Sequence, residues 1–216
     1  MTGDVLSFAL LAISSVLIIV NPLGATLLYV SLTTGLDKTV RDGISKESCR
    51  SALIVLLFFA VLGTWILQLF GITLEAFRIA GGILLFGIGM EMVYAKTSRT
   101  KMTATEKYES RDMEDIALMP IAIPMIAGPG AITTCIVLMN EALSLSITAI
   151  AVVLVSIGIS IGITYYMMQN SDYIMTKIGQ REYRAINRLM GMLLIAIAVQ
   201  FIINGIWMAF PALKGG

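Results

Sequence analysis

Six apolar stretches, each 20 residues or longer, dominate the chain: Val5–Thr34, Ser51–Phe70, Ala76–Ala95, Ile116–Met139, Leu143–Met168 and Leu189–Phe210. About 20 such residues, rising ~1.5 Å each, carry a helix across the ~30 Å hydrocarbon core of a bilayer. Charged residues make up 13% of the 216, where a soluble domain has about 25%, and the mean hydropathy is +0.89. That leaves too little polar surface to cover a core in water. The reading is an all-α, multi-pass integral membrane protein with six transmembrane helices. The start "MTGDV" lacks a basic n-region and no small-residue cleavage pattern follows the first block, so no cleaved signal peptide is expected. Cys49 falls at a membrane edge and Cys135 within a span, which favours two small buried residues over a disulfide.

Six spans divide the connecting loops into two alternating sets. Of the 15 Lys and Arg residues, only Arg78 and Lys214 fall in one set; the rest, from Lys38 to Arg188, fall in the other. By the positive-inside rule the basic set is cytoplasmic and both termini face outward, in a cell-membrane location. The most polar segment, Thr97–Asp115, holds nine charges in nineteen residues and reads as a cytoplasmic linker. It separates a first three-helix repeat (1–96) from a second (116–216).

The halves resemble each other weakly. "NPLGA" at Asn21–Ala25 aligns with "GPGAI" at Gly128–Ile132, placing Pro22 against Pro129 at an offset of 107. "RIAGGILLF" at Arg78–Phe86 aligns with "RLMGMLLIA" at Arg188–Ala196 at an offset of 110. Three spans per copy is an odd number, so the second copy enters the membrane from the opposite side. The expected architecture is a 3+3 inverted-topology repeat, a plan shared by many secondary transporters.

Both aligned motifs put proline and glycine inside apolar spans. Asn21-Pro22 and Gly128-Pro129 suit helix starts, with Asn or Gly as cap and Pro in the first turn. Spans one and four are therefore expected to be broken, each with a second half-helix starting near mid-membrane. Unwound backbone is tolerated there only within protein or beside a water-filled cavity. Two half-helix N-termini, each with roughly +0.5 of a charge and free N–H groups, suit a carboxylate. The carbonyls of Ile18, Pro120 and Met125, left without partners by Pro22, Pro124 and Pro129, suit an ammonium group. Together they match a small zwitterion.

The expected substrate-binding residues are Asn21, Pro22, Gly24, Ala25, Thr26, Gly128, Pro129, Gly130, Ala131 and Thr133. Of these, Gly24, Ala25, Gly130 and Ala131 would form a small cavity floor. The Thr26 and Thr133 hydroxyls either reach the ligand or bond back to their own helices. Gln200 and Asn204, one turn apart in the last span, face either the ligand or a neighbouring helix. Glu91, near the inner end of its span, has an interfacial or a proton-relay role.

"NPLGATLLYVSLTTG", "FGITLEAFRIAGGILLFGIGMEM" and "PIAIPMIAGPGAITT" together resemble the MarC family of membrane proteins, and within it the archaeal small neutral amino acid transporters. The likeness runs from about Asn21 to the last span, and departs at Leu27, where members commonly have a second proline. It implies uptake of glycine or alanine through a six-helix inverted repeat, driven by an ion gradient, with protons favoured over sodium. An exporter of the same substrates is the nearest alternative. A channel would need a polar lining or charged ring; a scaffold would give no reason for matched breaks. With no histidine and no paired acids inside the spans, an intramembrane enzyme is not expected. Nor is a metal, a cofactor or a nucleic-acid partner.

Overall fold

The computed structural model describes residues 2–94, 117–177 and 180–214, so the 97–115 linker lies outside the described residues. Helices follow one another along the chain, with no strand among the described residues: α1 Thr2–Val20, α2 Pro22–Thr33, α3 Lys38–Leu69, α4 Leu74–Val93, a π-helix Ala117–Ile126, α5 Pro129–Leu145, α6 Ile147–Gln169, α7 Ser171–Lys177 and α8 Gln180–Ala209. Five segments are long and apolar enough to cross a membrane: Val5–Thr33 (α1 with α2), Lys38–Leu69, Leu74–Val93, Ile147–Gln169 and Ala185–Ala209. The fourth apolar block is instead shared between the π-helix and the shorter α5.

Local chemistry accounts for the helix ends. α3 stops in a Schellman turn: the N–H of Ile72 bonds the carbonyl of Leu67 at 2.9 Å, that of Gly71 bonds Gln68 at 3.0 Å, and Gly71 sits at φ 67. Thr73 caps α4 by accepting from the N–H of Ala76 at 3.3 Å, and Ser146 caps α6 by accepting from Ala149 at 3.2 Å. The sequence suggested a boundary between the fourth and fifth blocks near Met139–Leu143. It falls at Ser146, because Glu141 has an ion-pair partner inside the bundle and the helix runs on through it. α3 likewise begins at Lys38, so its basic first turns extend the span beyond the apolar block.

α1 and α2 pack against α6, while the π-helix and α5 pack against α3. α4 and α8 lie against each other along their lengths as an antiparallel pair, at contacts seven residues apart. A Cβ added at Gly82 would lie 2.8 Å from the carbonyl oxygen of Ala198, one at Gly89 2.9 Å from that of Gly191, and one at Gly205 3.0 Å from that of Glu75. Only hydrogen fits at these points, which is how transmembrane helices gain close backbone contact without a hydrophobic drive.

One buried core, including Val16, Ala25, Leu56, Ile121, Leu138 and Ile157, joins α1–α3, the π-helix, α5 and α6. A second, smaller core of Leu85, Leu194 and Ala198 belongs to the α4–α8 pair. The outward faces carry Leu10, Ile54, Phe58, Trp65, Ile83, Val155 and Leu193, all exposed. Apolar surface on this scale suits hydrocarbon rather than water.

Candidate functional site

At Asn21 the backbone leaves the helical region for the left-handed one, at φ 49 and ψ 67. Asn tolerates this conformation better than other non-glycine residues because its short amide bonds locally. Here Oδ1 accepts from the N–H of Gly24 at 3.2 Å, and Pro22 fills the first turn of α2, where no N–H is needed. The start of α2 is therefore capped from within.

The other interruption is built differently. Pro120 and Pro124 have no N–H to donate, and the backbone widens to π spacing, closing with Ala127 N–H to Ala122 carbonyl at 2.9 Å. The Ser48 hydroxyl of α3 shares its one proton between the Ile44 carbonyl of its own helix, at 2.8 Å, and the Ala117 carbonyl at the start of this segment, at 3.0 Å. Gly128 is extended, at φ −71 and ψ 169, and offers no side-chain cap to α5. The first N–H groups of any helix lack intrahelical partners, so those at the start of α5 are open to a ligand. Val20, Ile126 and Ala127 are fully buried and Asn21 nearly so, which keeps both irregular segments inside protein, as hydrocarbon surroundings require.

A cavity of about 210 Å³ lies beside that helix start. Asn21, Gly128, Pro129, Gly130, Ala131 and Glu91 line it, joined by apolar side chains such as Ile19, Leu85, Met92, Met125 and Leu194. Drug-sized ligands occupy roughly 300–1,000 Å³, so this volume suits a smaller molecule.

The remaining candidates are not among its lining residues. Pro22, Gly24, Ala25 and Thr26 are buried in packing around α2. The Thr26 hydroxyl donates to the Pro22 carbonyl at 2.8 Å and that of Thr133 to the Pro129 carbonyl at 2.9 Å, so both are engaged within their own helices. Gln200 Nε2 donates to Asn204 Oδ1 at 2.8 Å on an exposed face of α8, away from the cavity. The cavity floor thus uses Gly130 and Ala131 but not Gly24 and Ala25. Cys49 and Cys135 are free and buried, as their positions suggested.

Two arginine sites were not legible in the sequence. Arg41, near the start of α3, grips Asp172 of α7 with both terminal nitrogens, at 2.9 and 3.2 Å, and also donates to Ser171 Oγ at 3.2 Å. The Tyr29 hydroxyl donates to the Arg41 carbonyl at 2.9 Å, and Gln169 reaches Ser45 at 2.7 Å. The guanidinium beside Asp172 holds its carboxyl below the usual carboxylate range. This pair is intact at neutral pH and is lost as pH falls through that lowered value. At the opposite end, Arg78 of α4 is almost fully buried and pairs with Glu141 of α5. Counting charges assigned Arg78 to a loop set; nothing in the sequence announces a partner 63 residues away.

Apolar helices clothed in exposed hydrocarbon, with irregular backbone kept inside around a small cavity, define a multi-pass integral membrane protein. The comparisons agree and go further. The model of the MarC family integral membrane proteins matches residues 6–210, and the chain belongs to that family. It is 42% identical to the UPF0056 membrane protein MJ1677 of Methanocaldococcus jannaschii over 201 residues, 93% of this chain and 97% of the relative. It is 34% identical to YvbG of Bacillus subtilis (96% and 98% covered) and 34% identical to YhcE of Escherichia coli (90% of each), both UPF0056 membrane proteins. No solved structure matches the chain.

Proposed function

We propose that this protein is a secondary transporter of small neutral amino acids, glycine and alanine, working by alternating access and coupled to a proton gradient. The observation that carries the reading is one small cavity lined both by the uncapped start of α5 and by the acidic residue Glu91, which is exposed at its edge. A helix N-terminus attracts an anion through its free N–H groups and dipole, so the substrate carboxylate belongs near Gly130 and Ala131. Its ammonium belongs near Glu91 and the Asn21 amide. The two needs, in a cavity of about 210 Å³, select a short zwitterion.

This differs in one respect from the pattern expected of paired helix ends. Asn21 caps α2 itself, so α5 alone supplies the anion site and a side chain serves the cation. The reciprocal packing, α1 and α2 on α6 against the π-helix and α5 on α3, supports a 3+3 inverted repeat with breaks in its first and fourth spans. Glu91 is the cavity carboxylate able to carry a coupling proton in place of the substrate's ammonium.

The test is flux in proteoliposomes. Purified protein should accumulate labelled glycine under an inward proton gradient, with alanine competing and phenylalanine competing poorly. Glycine methyl ester and N-acetylglycine should both compete weakly, each lacking one charge. Equal competition by phenylalanine, or full competition by either analogue, would refute this site; no accumulation of any neutral amino acid would refute the transport reading.

A further inference from the structure

The cavity lies in a seam between two bodies, each with its own hydrophobic core and joined through Ile19, which packs on both. From the larger body come Asn21, Met125 and the start of α5; from the α4–α8 pair come Leu85, Ile88 and Glu91. On α4 these positions fall in the half nearer its C-terminus, the end of the bundle that also holds the basic start of α3 and α7. Contact with α5 begins at the cavity edge, where a Cβ on Gly130 would collide with Leu85, and continues along the other half of α4. Gly81 meets the side chain of Thr133 so closely that a Cβ there would collide with it, and beyond this contact Arg78 pairs with Glu141. From Gly130 to Glu141 is about 16 Å of helix at ~1.5 Å per residue, roughly half the hydrocarbon thickness of ~30 Å.

Arg78–Glu141 is the ion pair, among the described residues, that ties the two bodies together. Arg41–Asp172 lies outside the α4–α8 pair, and Glu47–Arg50 is within α3. It is also under-bonded for a permanent strut. The guanidinium has five N–H donors, yet one terminal nitrogen meets Glu141, the other only the sulfur of Met208 at 3.4 Å, and Nε is buried without a partner. The attraction of such a pair scarcely offsets the desolvation of its charges. Glu141 is already part-exposed at the rim, so separating the pair returns a carboxylate to water it already touches.

We infer that Arg78 and Glu141 form the gate that shuts the cavity from the end opposite the basic loops, with Gly81 and Thr133 as the seal beneath it. The gate opens when the α4–α8 pair swings as one body away from α5. The gate's use in transport rests on the reading above; its physical closure does not.

Both parts can be tested separately. A single cysteine replaces Met125 in a chain whose Cys49 and Cys135 are alanine, and a membrane-impermeant maleimide is applied to right-side-out and inverted vesicles. With the gate intact, labelling should come from the basic side. Glu141→Gln should raise labelling from the opposite side about tenfold, a shift of ~1.4 kcal/mol between the two states. The exchange Arg78→Glu with Glu141→Arg should return it towards the starting level. Unchanged labelling in Glu141→Gln, or failure of the exchange to reverse the rise, would overturn the gate. In addition, Arg78→Cys with Glu141→Cys, once cross-linked, should stop glycine flux until reductant is added; undiminished flux in fully cross-linked protein would also overturn it. Labelling that responds to Glu141→Gln in a protein without amino acid flux would keep the gate and remove the transport reading.

Discussion

Asn21 shows how much one residue decides. Among the described non-glycine residues it is the one at positive φ, and it is also the cap of α2. The sequence already pointed to a cap before proline, because short amide side chains and Pro serve those two positions for separate physical reasons. It did not reveal the left-handed backbone. Asn21→Ala should lose the cap, about 0.5–2 kcal/mol, and meet the left-handed penalty of about 1–2 kcal/mol. Asn21→Gly escapes the second cost, so it should lower the melting temperature in detergent less than Asn21→Ala does; equal losses would deny that the backbone conformation matters. The threonines show the opposite limit. Sequence left the Thr26 and Thr133 hydroxyls two roles, ligand contact or a bond back to their own helices, and in the fold both turn back to Pro22 and Pro129.

At the scale of elements, the sequence offered the glycine-containing stretches of α4 and α8 only as aligned positions of a weak internal repeat. Their heptad partnership, Gly82 with Ala198 and Gly89 with Gly191, depends on two helices more than a hundred residues apart meeting antiparallel. Local periodicity contains no information about that partner. Gly89→Ala places a methyl group against backbone, which cannot yield as a side chain can. It should destabilise the pair by about 1–3 kcal/mol, the usual cost of overpacking, visible as a lower unfolding temperature. Gly87→Ala, where a Cβ meets nothing within 4 Å, is the matched control and should change little. Unequal capping of the two interruptions was partly legible, since Asn and Gly differ as caps. The π winding before α5 was not, although its prolines were plain.

For the whole molecule, membrane residence and the direction of insertion are questions of solvent and charge. The strong bias of Lys and Arg towards one set of loops predicts that single cysteines introduced within 97–115 react with impermeant reagents only after inverted vesicles are made or the membrane is opened. Labelling in intact cells would reverse the proposed orientation. Apolar length, the prolines and glycines that interrupt it and the unequal distribution of basic residues act through neighbours along the chain and through the bilayer, so the sequence alone determined a multi-pass helical protein and where its helices weaken. Which weak points border a cavity was decided only in three dimensions. Gly130, Ala131 and Asn21 share that space with Glu91 because α4, belonging to the second body, crosses the start of α5. Gly24 and Ala25, equally small, are filled in by packing. Arg78 became a buried partner of Glu141, not a rim charge, for the same reason: contacts between distant segments depend on how helices stack, and stacking is a property of all the side chains at once.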